Sequence, residues 1–480
     1  MFGMNLTEPK DCRTSQKKPM EPLRKTAGQI LFDYGLGSLN RAIGGFTDPR
    51  AGRHNIKYSM QEISLGAFSV FFMRNSSFLE AQRYLESVQG INNLRCMFGV
   101  ENIPTDNHIR SILDNIDPIC LEPVFNDILE YLIRDQKIDN FKVKDDRLLI
   151  ALDGTQYHSS HKICCDKCSV AKSSTGTITY SHTAVLPVIV KPGSSIVLSL
   201  FPEFVTPQDG KEKQDCEIEA SKRLIARNAA KYRELNSILL GDDLYCCQPF
   251  CQLLLREKID FIFTCKSTSH KILFEHIDAL AEQESIEHTE TKQKDKNKTT
   301  THYRFVNHLP IRGGADAIYI NWCEVTTTDP SGKVLYHNSF ATSLLLSKEN
   351  VASVCEYGRS RWKIENENNN TLKNLGYNLE HNFGHGQQYL ASMLATLNIL
   401  AFLFHSSMEL VDKDFQVLVT KLKRSKVFQH SAILTCYICF GGLQDLFRFM
   451  TDSFEELNPP PQVGEVFYHP DFYSPNIDSS

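Results

Sequence analysis

Three acids of this chain stand where carboxylates could hold a divalent cation. Asp153 follows the uninterrupted apolar run Leu148 to Leu152, in RLLIALDGT. Asp242 follows the apolar run Ser237 to Leu240, in SILLGDDLY. Glu365 lies four residues after Arg361, in RSRWKIENENNN. A carboxylate at the end of a buried strand loses hydration unless something pairs with it. Two of them side by side repel unless a cation lies between, and oxygen donors of this kind suit Mg²⁺ or Mn²⁺. Each signal alone has a plainer reading. Asp-Gly after a strand is commonly a turn, and Arg361 with Glu365 is an ordinary i,i+4 ion pair on a solvated helix. Their joint arrangement shifts the balance.

The elements that must position these acids follow from the pattern around them. Leu148 to Leu152 reads as a strand buried on both faces. Thr183 to Val190 and Ile196 to Phe201 flank Lys191-Pro-Gly-Ser-Ser and read as a hairpin. A helix spans Lys213 to Tyr232, and short strands follow at Ser237 to Leu240 and Ile259 to Thr264. A right-handed crossover sets the strand before Asp242 parallel to the strand before Asp153. Both acids then leave the sheet at the same edge, where α/β sheets place their sites. This is the order of an RNase H-like α/β core. The third acid belongs to a helix over 351–373, whose Asn run at 368–370 is out of place on a plain surface helix.

Around that core the chain is helical on both sides. Ile30 to Ile138 has helical spacing, with Thr105 as a helix cap, and reads equally as a DNA-binding or a packing domain. A helix around His270 to Gln283 leads into a polar loop, Glu284 to Thr301. A hairpin across Asp329-Pro-Ser-Gly then joins Ala317 to Thr328 with Lys333 to Leu346. Trp322 in this β-rich part could stack on a DNA base, although a core tryptophan is the favoured reading. Gln387 to Glu456 is helical and apolar. Its cluster Lys421, Lys423, Arg424 and Lys426 could hold DNA phosphates, as could the basic amino-terminal stretch.

Composition sets the bounds. A chain of 480 residues with 41% hydrophobic and 23% charged residues fits two or three soluble domains. A net charge of -5 gives no global nucleic-acid signature. No apolar leader follows the start, and Leu390 to Phe404 is short and carries Asn398, so it reads as a buried core helix and no membrane partner is expected. Fifteen cysteines without a secretory context read as reduced thiols in a cytoplasmic protein. Downstream of Asp153, His158, His161, Cys165 and Cys168 form a set that suits tetrahedral zinc. All four lie in one short loop, so free thiols are the favoured reading.

The combination of DGT at Asp153, GDDLY at Asp242 and RWKIE at Glu365 resembles the DDE-class transposases of bacterial insertion sequences, most like the insertion sequence four family. Aligning Tyr245 selects Asp242 over Asp243. The family signature Tyr, Arg, Glu, Lys maps onto Tyr357, Arg361, Glu365 and Lys373, with Tyr357 and Lys373 each one residue farther out than the family places them. The resemblance implies that Asp153, Asp242 and Glu365 hold two Mg²⁺ or Mn²⁺ ions. Catalysis would be metal-dependent cleavage at transposon ends and strand transfer into target DNA. It further implies double-stranded DNA contacts by Arg361, Lys373 and Tyr357, a homodimer on DNA, and a cytoplasmic, nucleoid-associated bacterial setting. The expected organisation is a disordered basic arm (1–26), a helical domain (27–140) and the first part of the core (141–266). A β-rich insertion (267–350), the core completion with carboxy-terminal helices (351–457) and a disordered tail (458–480) follow. A metal-dependent nuclease without strand transfer and a catalytically silent DNA-binding descendant remain as alternatives.

Overall fold

A computed structural model of the chain describes residues 24–52, 56–207, 216–292 and 298–456. Most of the basic arm and the whole of the proline-rich tail lie outside the described residues. The fold is mixed α/β: one large mixed sheet flanked by helices.

The sheet begins with β1 (Leu148–Ser160), whose first five residues are buried on both faces. Contiguous Leu, Ile and Ala pack there because both sides of a central strand are covered. The strand does not stop at Asp153. It runs on to Ser160, paired antiparallel with β3 (Ile178–Val190), while the short strand β2 (Ser169–Lys172) pairs with the far side of β3. Two further short strands, β4 (Leu198–Ser199) and β5 (Glu203–Val205), also pair with β3. The hairpin expected across Lys191-Pro-Gly-Ser-Ser is therefore present.

A helix, α7 (Glu217–Glu234), crosses back to β6 (Ser237–Gly241), which lies parallel to β1 with Ala151 beside Leu240. The strand β7 (Asp260–Thr264) continues the parallel run. The sheet then goes on through β11 (Val334–Thr342), β10 (Tyr319–Thr328), β9 (Thr300–Pro310) and β8 (Glu287–Lys292), in that spatial order. The polar stretch expected to be loop from Glu284 to Thr301 thus contains an edge strand, β8. Its alternating Glu, His, Thr and Lys carry no apolar face, which is how an edge strand avoids further pairing.

Among the described residues, six α-helices precede the sheet: α1 (Ala27–Gly44), α2 (Met60–Phe72), α3 (Phe78–Leu85), α4 (Val88–Phe98), α5 (Asp106–Leu113) and α6 (Glu122–Arg134). Thr105 stands at the start of α5, but its side chain makes no capping hydrogen bond. The 22-residue helix Leu390–Val411 is long and apolar enough to cross a membrane by length and composition, yet 89% of its most apolar window is buried inside the protein. Phe404 from that helix meets Phe32 of α1 and Phe68 of α2, at ring separations of 6.0 and 5.2 Å. Asn398, its polar interruption, donates to the Tyr377 carbonyl at 2.7 Å.

Candidate active site

The parallel register carries Asp153 and Asp242 to the same level. Ala151 is beside Leu240, so two residues further on Asp153 faces Asp242, just beyond the last residue of β6. There β6 turns away, with Leu244 N–H donating to the Asp242 carboxylate at 2.9 Å. Beyond this point β1 loses its parallel neighbour, which opens one side of the sheet at Asp153. The neighbouring Asp243 points elsewhere. Its carboxylate accepts from Lys266 N–H at 2.7 Å and the Ser269 hydroxyl at 2.5 Å. Asp242 and Asp243 are thereby separated by role, the first towards Asp153 and the second fastening the turn after β7.

Glu365 arrives on an unusual element. The helix expected over 351–373 is broken into three segments of different pitch: a regular helix at Val351–Arg359, a π-helix at Ile364–Asn369 and a short helix at Asn370–Asn374. Single π-helical turns are rare and concentrate at functional sites. Here the wider turn buries Asn368 and Asn369. Asn369 donates to the Asp153 carboxylate at 2.7 Å, and Asn368 accepts from the Ser199 hydroxyl of β4. The Asn run thus ties the Glu365 segment to β1 and β4. Arg361 bonds Glu365 at 2.7 Å, as its i,i+4 spacing indicates.

A fourth acid completes the cluster. Glu217, the first residue of α7, accepts from Gly154 N–H at 3.0 Å and from the Tyr245 hydroxyl at 2.7 Å. A Cβ on Gly154 would come within 2.2 Å of the Glu217 carboxylate, so only glycine allows this approach. Tyr245, which marks Asp242 in the sequence, is fully buried and serves to hold Glu217. On the outer side of α7, Arg227 pairs with Glu203 of β5 at 2.8 Å and fixes the helix over the strands.

The electrostatics follow from this crowding. The Asp153 carboxyl is pushed up to about 7, first by burial and then by the negative charge of Glu217; Arg361 opposes the rise, while Glu365 and Asp242 add to it. Burial likewise raises Glu217, with Asp242 adding to the shift and the bonds from Tyr245 and Gly154 opposing it. Four partly buried carboxylates that act on one another, with one guanidinium among them, leave uncompensated negative charge. A divalent cation held by carboxylate oxygens relieves it.

Other residues singled out in the sequence fall in different places. Tyr357 accepts from Lys144 N–H at 3.4 Å, at the amino-terminal end of β1 and away from the acids. Lys373 pairs with Glu380 at 2.8 Å. Trp322 is fully buried within β10, so stacking on a base is ruled out for it by packing; the exposed tryptophan is Trp362, at 59%. Arg424 is paired with Glu409 in a partly buried setting, which removes it from the basic cluster proposed for phosphates. The sulfur and imidazole set also changes. Cys165 and Cys168 come together, but with His182 and His385. His161 bonds the Ile178 carbonyl at 2.9 Å, and the ring of His158 packs 4.5 Å from that of His385 without joining the four donor atoms. His158 lies on β1 rather than in the loop, and β3 and the segment before the Leu390–Val411 helix supply the imidazoles.

No family model matches this chain, and no curated protein matches it. Among solved structures, it is similar to a piggyBac transposase in a synaptic complex with hairpin DNA, at 11% identity and a TM-score of 0.36 over 91% of this chain and 84% of that one. Similarity at that level carries no argument about this chain, and the functional reading rests on the site itself.

Proposed function

We propose that this chain is a DNA transposase with an RNase H-like core and a DDE site formed by Asp153, Asp242 and Glu365. The observation that carries the reading is geometric: the parallel register of β1 and β6 brings Asp153 and Asp242 to one level, and Asn369 ties the Glu365 segment to the Asp153 carboxylate. The strand order supports it: antiparallel partners on one side of β1 and parallel strands on the other.

In this reading the acids hold Mg²⁺ or Mn²⁺, which supplies charge stabilisation at a scissile phosphate and lowers the pKa of an attacking water or 3′-hydroxyl. Asp153 would provide an oxygen donor from within β1 and Asp242 from just past the end of β6, with Glu365 added from the π-helix. Arg361, held against Glu365, places a positive charge beside the cluster, where it can meet a phosphate oxygen. Asn369 donates to one oxygen of Asp153, and the other oxygen would be the one to hold the cation. The partner is double-stranded DNA, at the ends of the element and at a target, with a homodimer bridging two ends. Membership of the insertion sequence four family and a bacterial cytoplasmic setting are part of the same proposal.

The test is incubation of the purified chain with Mg²⁺ and labelled DNA carrying the flanking ends of its own gene, together with a target plasmid. Cleavage at the element's ends followed by joined products is the expected result. Cleavage without joining would indicate a nuclease instead, and binding without cleavage a silent DNA-binding protein.

A further inference from the structure

Away from the acids, four donor atoms converge from three elements. Cys165 and Cys168 lie in the loop between β1 and β2, His182 on β3, and His385 just ahead of the Leu390–Val411 helix. The sulfurs are 3.9 Å apart. Nε2 of His182 lies 3.6 Å from Cys165 Sγ and 3.4 Å from Cys168 Sγ. Nε2 of His385 lies 3.4 Å from Cys168 Sγ and 3.1 Å from Nε2 of His182.

Those separations are five of the six edges of a small tetrahedron, and all four donor atoms lie within 4.8 Å of one another. Zinc bonds of about 2.3 Å to sulfur and about 2.0–2.1 Å to nitrogen, at tetrahedral angles, place sulfurs about 3.8 Å apart, sulfur and nitrogen about 3.5 Å, and nitrogens about 3.4 Å. A hydrogen-bonded thiol and imidazole cluster explains the arrangement less well. Nδ1 of His385 lies 2.9 Å from the Gly386 carbonyl, which can only accept, so Nδ1 carries the proton and Nε2 presents a lone pair. Separate hydrogen bonds from each thiol to an imidazole account for single contacts, but not for four ligand atoms that all lie within 4.8 Å of one another. The Gly386 carbonyl behind His385 is also the outer partner that orients a metal-bound imidazole. The Cys165 N–H donates to Cys168 Sγ at 3.4 Å, within a tight turn closed by Cys168 N–H on the Cys165 carbonyl at 3.1 Å.

We propose that Cys165, Cys168, His182 and His385 bind one structural Zn²⁺ ion. All four positions are filled by protein atoms, which leaves no open site for chemistry. The ion clamps the far end of the hairpin that bears Asp153 to the segment joining the Glu365 region to the Leu390–Val411 helix. A second tie runs beside it, where Lys167 lies over the Tyr389 ring at 3.2 Å. The zinc thereby fixes two stretches that are distant in sequence.

The test is elemental analysis of full-length protein made with zinc in the medium and purified without chelator or histidine tag. About one zinc per chain is expected, unchanged in Cys164→Ser and His161→Ala, and lost in Cys168→Ser and His385→Ala. Because the latter two could fail to fold, zinc-edge X-ray absorption of the unmodified chain provides the second measurement. Two sulfurs at about 2.3 Å and two nitrogens at about 2.0 Å are expected. A zinc content well below one per chain overturns the site, as does a coordination shell dominated by oxygen. Loss of zinc in His161→Ala would return the ligand set to the loop alone. Metal content is read without DNA, so this result stands or falls independently of transposition.

Discussion

At the residue scale, the acids divide into those that face the common point and one that does not. Asp153→Asn, Asp242→Asn and Glu365→Gln keep size and hydrogen-bonding capacity but remove a charge each. Each is expected to lower Mg²⁺-dependent cleavage by more than about a hundredfold, beyond the 10–100-fold typical of losing an outer-shell partner of a metal. DNA binding, measured by gel shift, should change little, because carboxylates do not attract phosphate. Asp243→Asn should cost stability instead, through its bonds to Lys266 and Ser269. A dead Asp243 variant beside an active Asp242 variant would move the site by one residue. Glu217→Gln can still accept from Gly154 and Tyr245 but no longer adds negative charge beside Asp153. Its expected effect is a Mg²⁺ requirement raised by about 10–100-fold in a metal titration of cleavage; an unchanged requirement would leave Glu217 a purely structural residue.

At the scale of elements, the two strands that carry acids were legible because burial on both faces writes an unbroken apolar run. Asp153 and Asp242 stand out at the ends of such runs. Glu217 does not, since nothing local marks the first residue of a helix that happens to close over Gly154. The π-helix was likewise hidden: the Asn run signalled that the surface-helix reading was wrong, but an i→i+5 turn leaves no periodic signature. His182 and His385 were missed as partners of Cys165 and Cys168 because tertiary packing, not spacing, brings them there. The π-helix yields a further prediction. Asn369→Ala removes the bond to Asp153 and should reduce cleavage by about tenfold or more while thermal stability falls by only about 1 kcal/mol, the usual net worth of a hydrogen bond. Equal cleavage in both proteins would show that Asn369 does not position Asp153. Arg361→Ala should weaken DNA binding and flatten its salt dependence by about one unit of slope. An unchanged slope would confine Arg361 to its bond with Glu365.

For the whole molecule, the Leu390–Val411 helix is the common support, and its burial makes one titration visible. His405 on that helix is fully buried, with the Tyr377 hydroxyl 2.6 Å from Nδ1 and the Phe428 ring stacked at 3.8 Å. Burial, with Arg74 and Arg424 nearby, holds its imidazole well below the ordinary histidine range. The folded state therefore keeps His405 neutral where the unfolded chain binds a proton. Stability is fully present above the unfolded value of about 6.5 and is lost as pH falls below it. Urea midpoints measured between pH 8 and pH 5 should decline on the acid side, and His405→Gln should flatten that decline whatever its effect on absolute stability. A parallel decline in both proteins would assign the acid sensitivity to other groups.

The central claim is that the carboxylates around Asp153 form a divalent-metal site. Mn²⁺ binding followed by electron paramagnetic resonance, with DNA ends bound, tests it most directly. The wild-type chain is predicted to take up Mn²⁺ in an oxygen-coordinated site that Mg²⁺ displaces, and Asp153→Asn and Asp242→Asn to lose that uptake while keeping the wild-type circular dichroism spectrum. Mn²⁺ uptake that is the same in the folded variants as in the wild type would contradict the account.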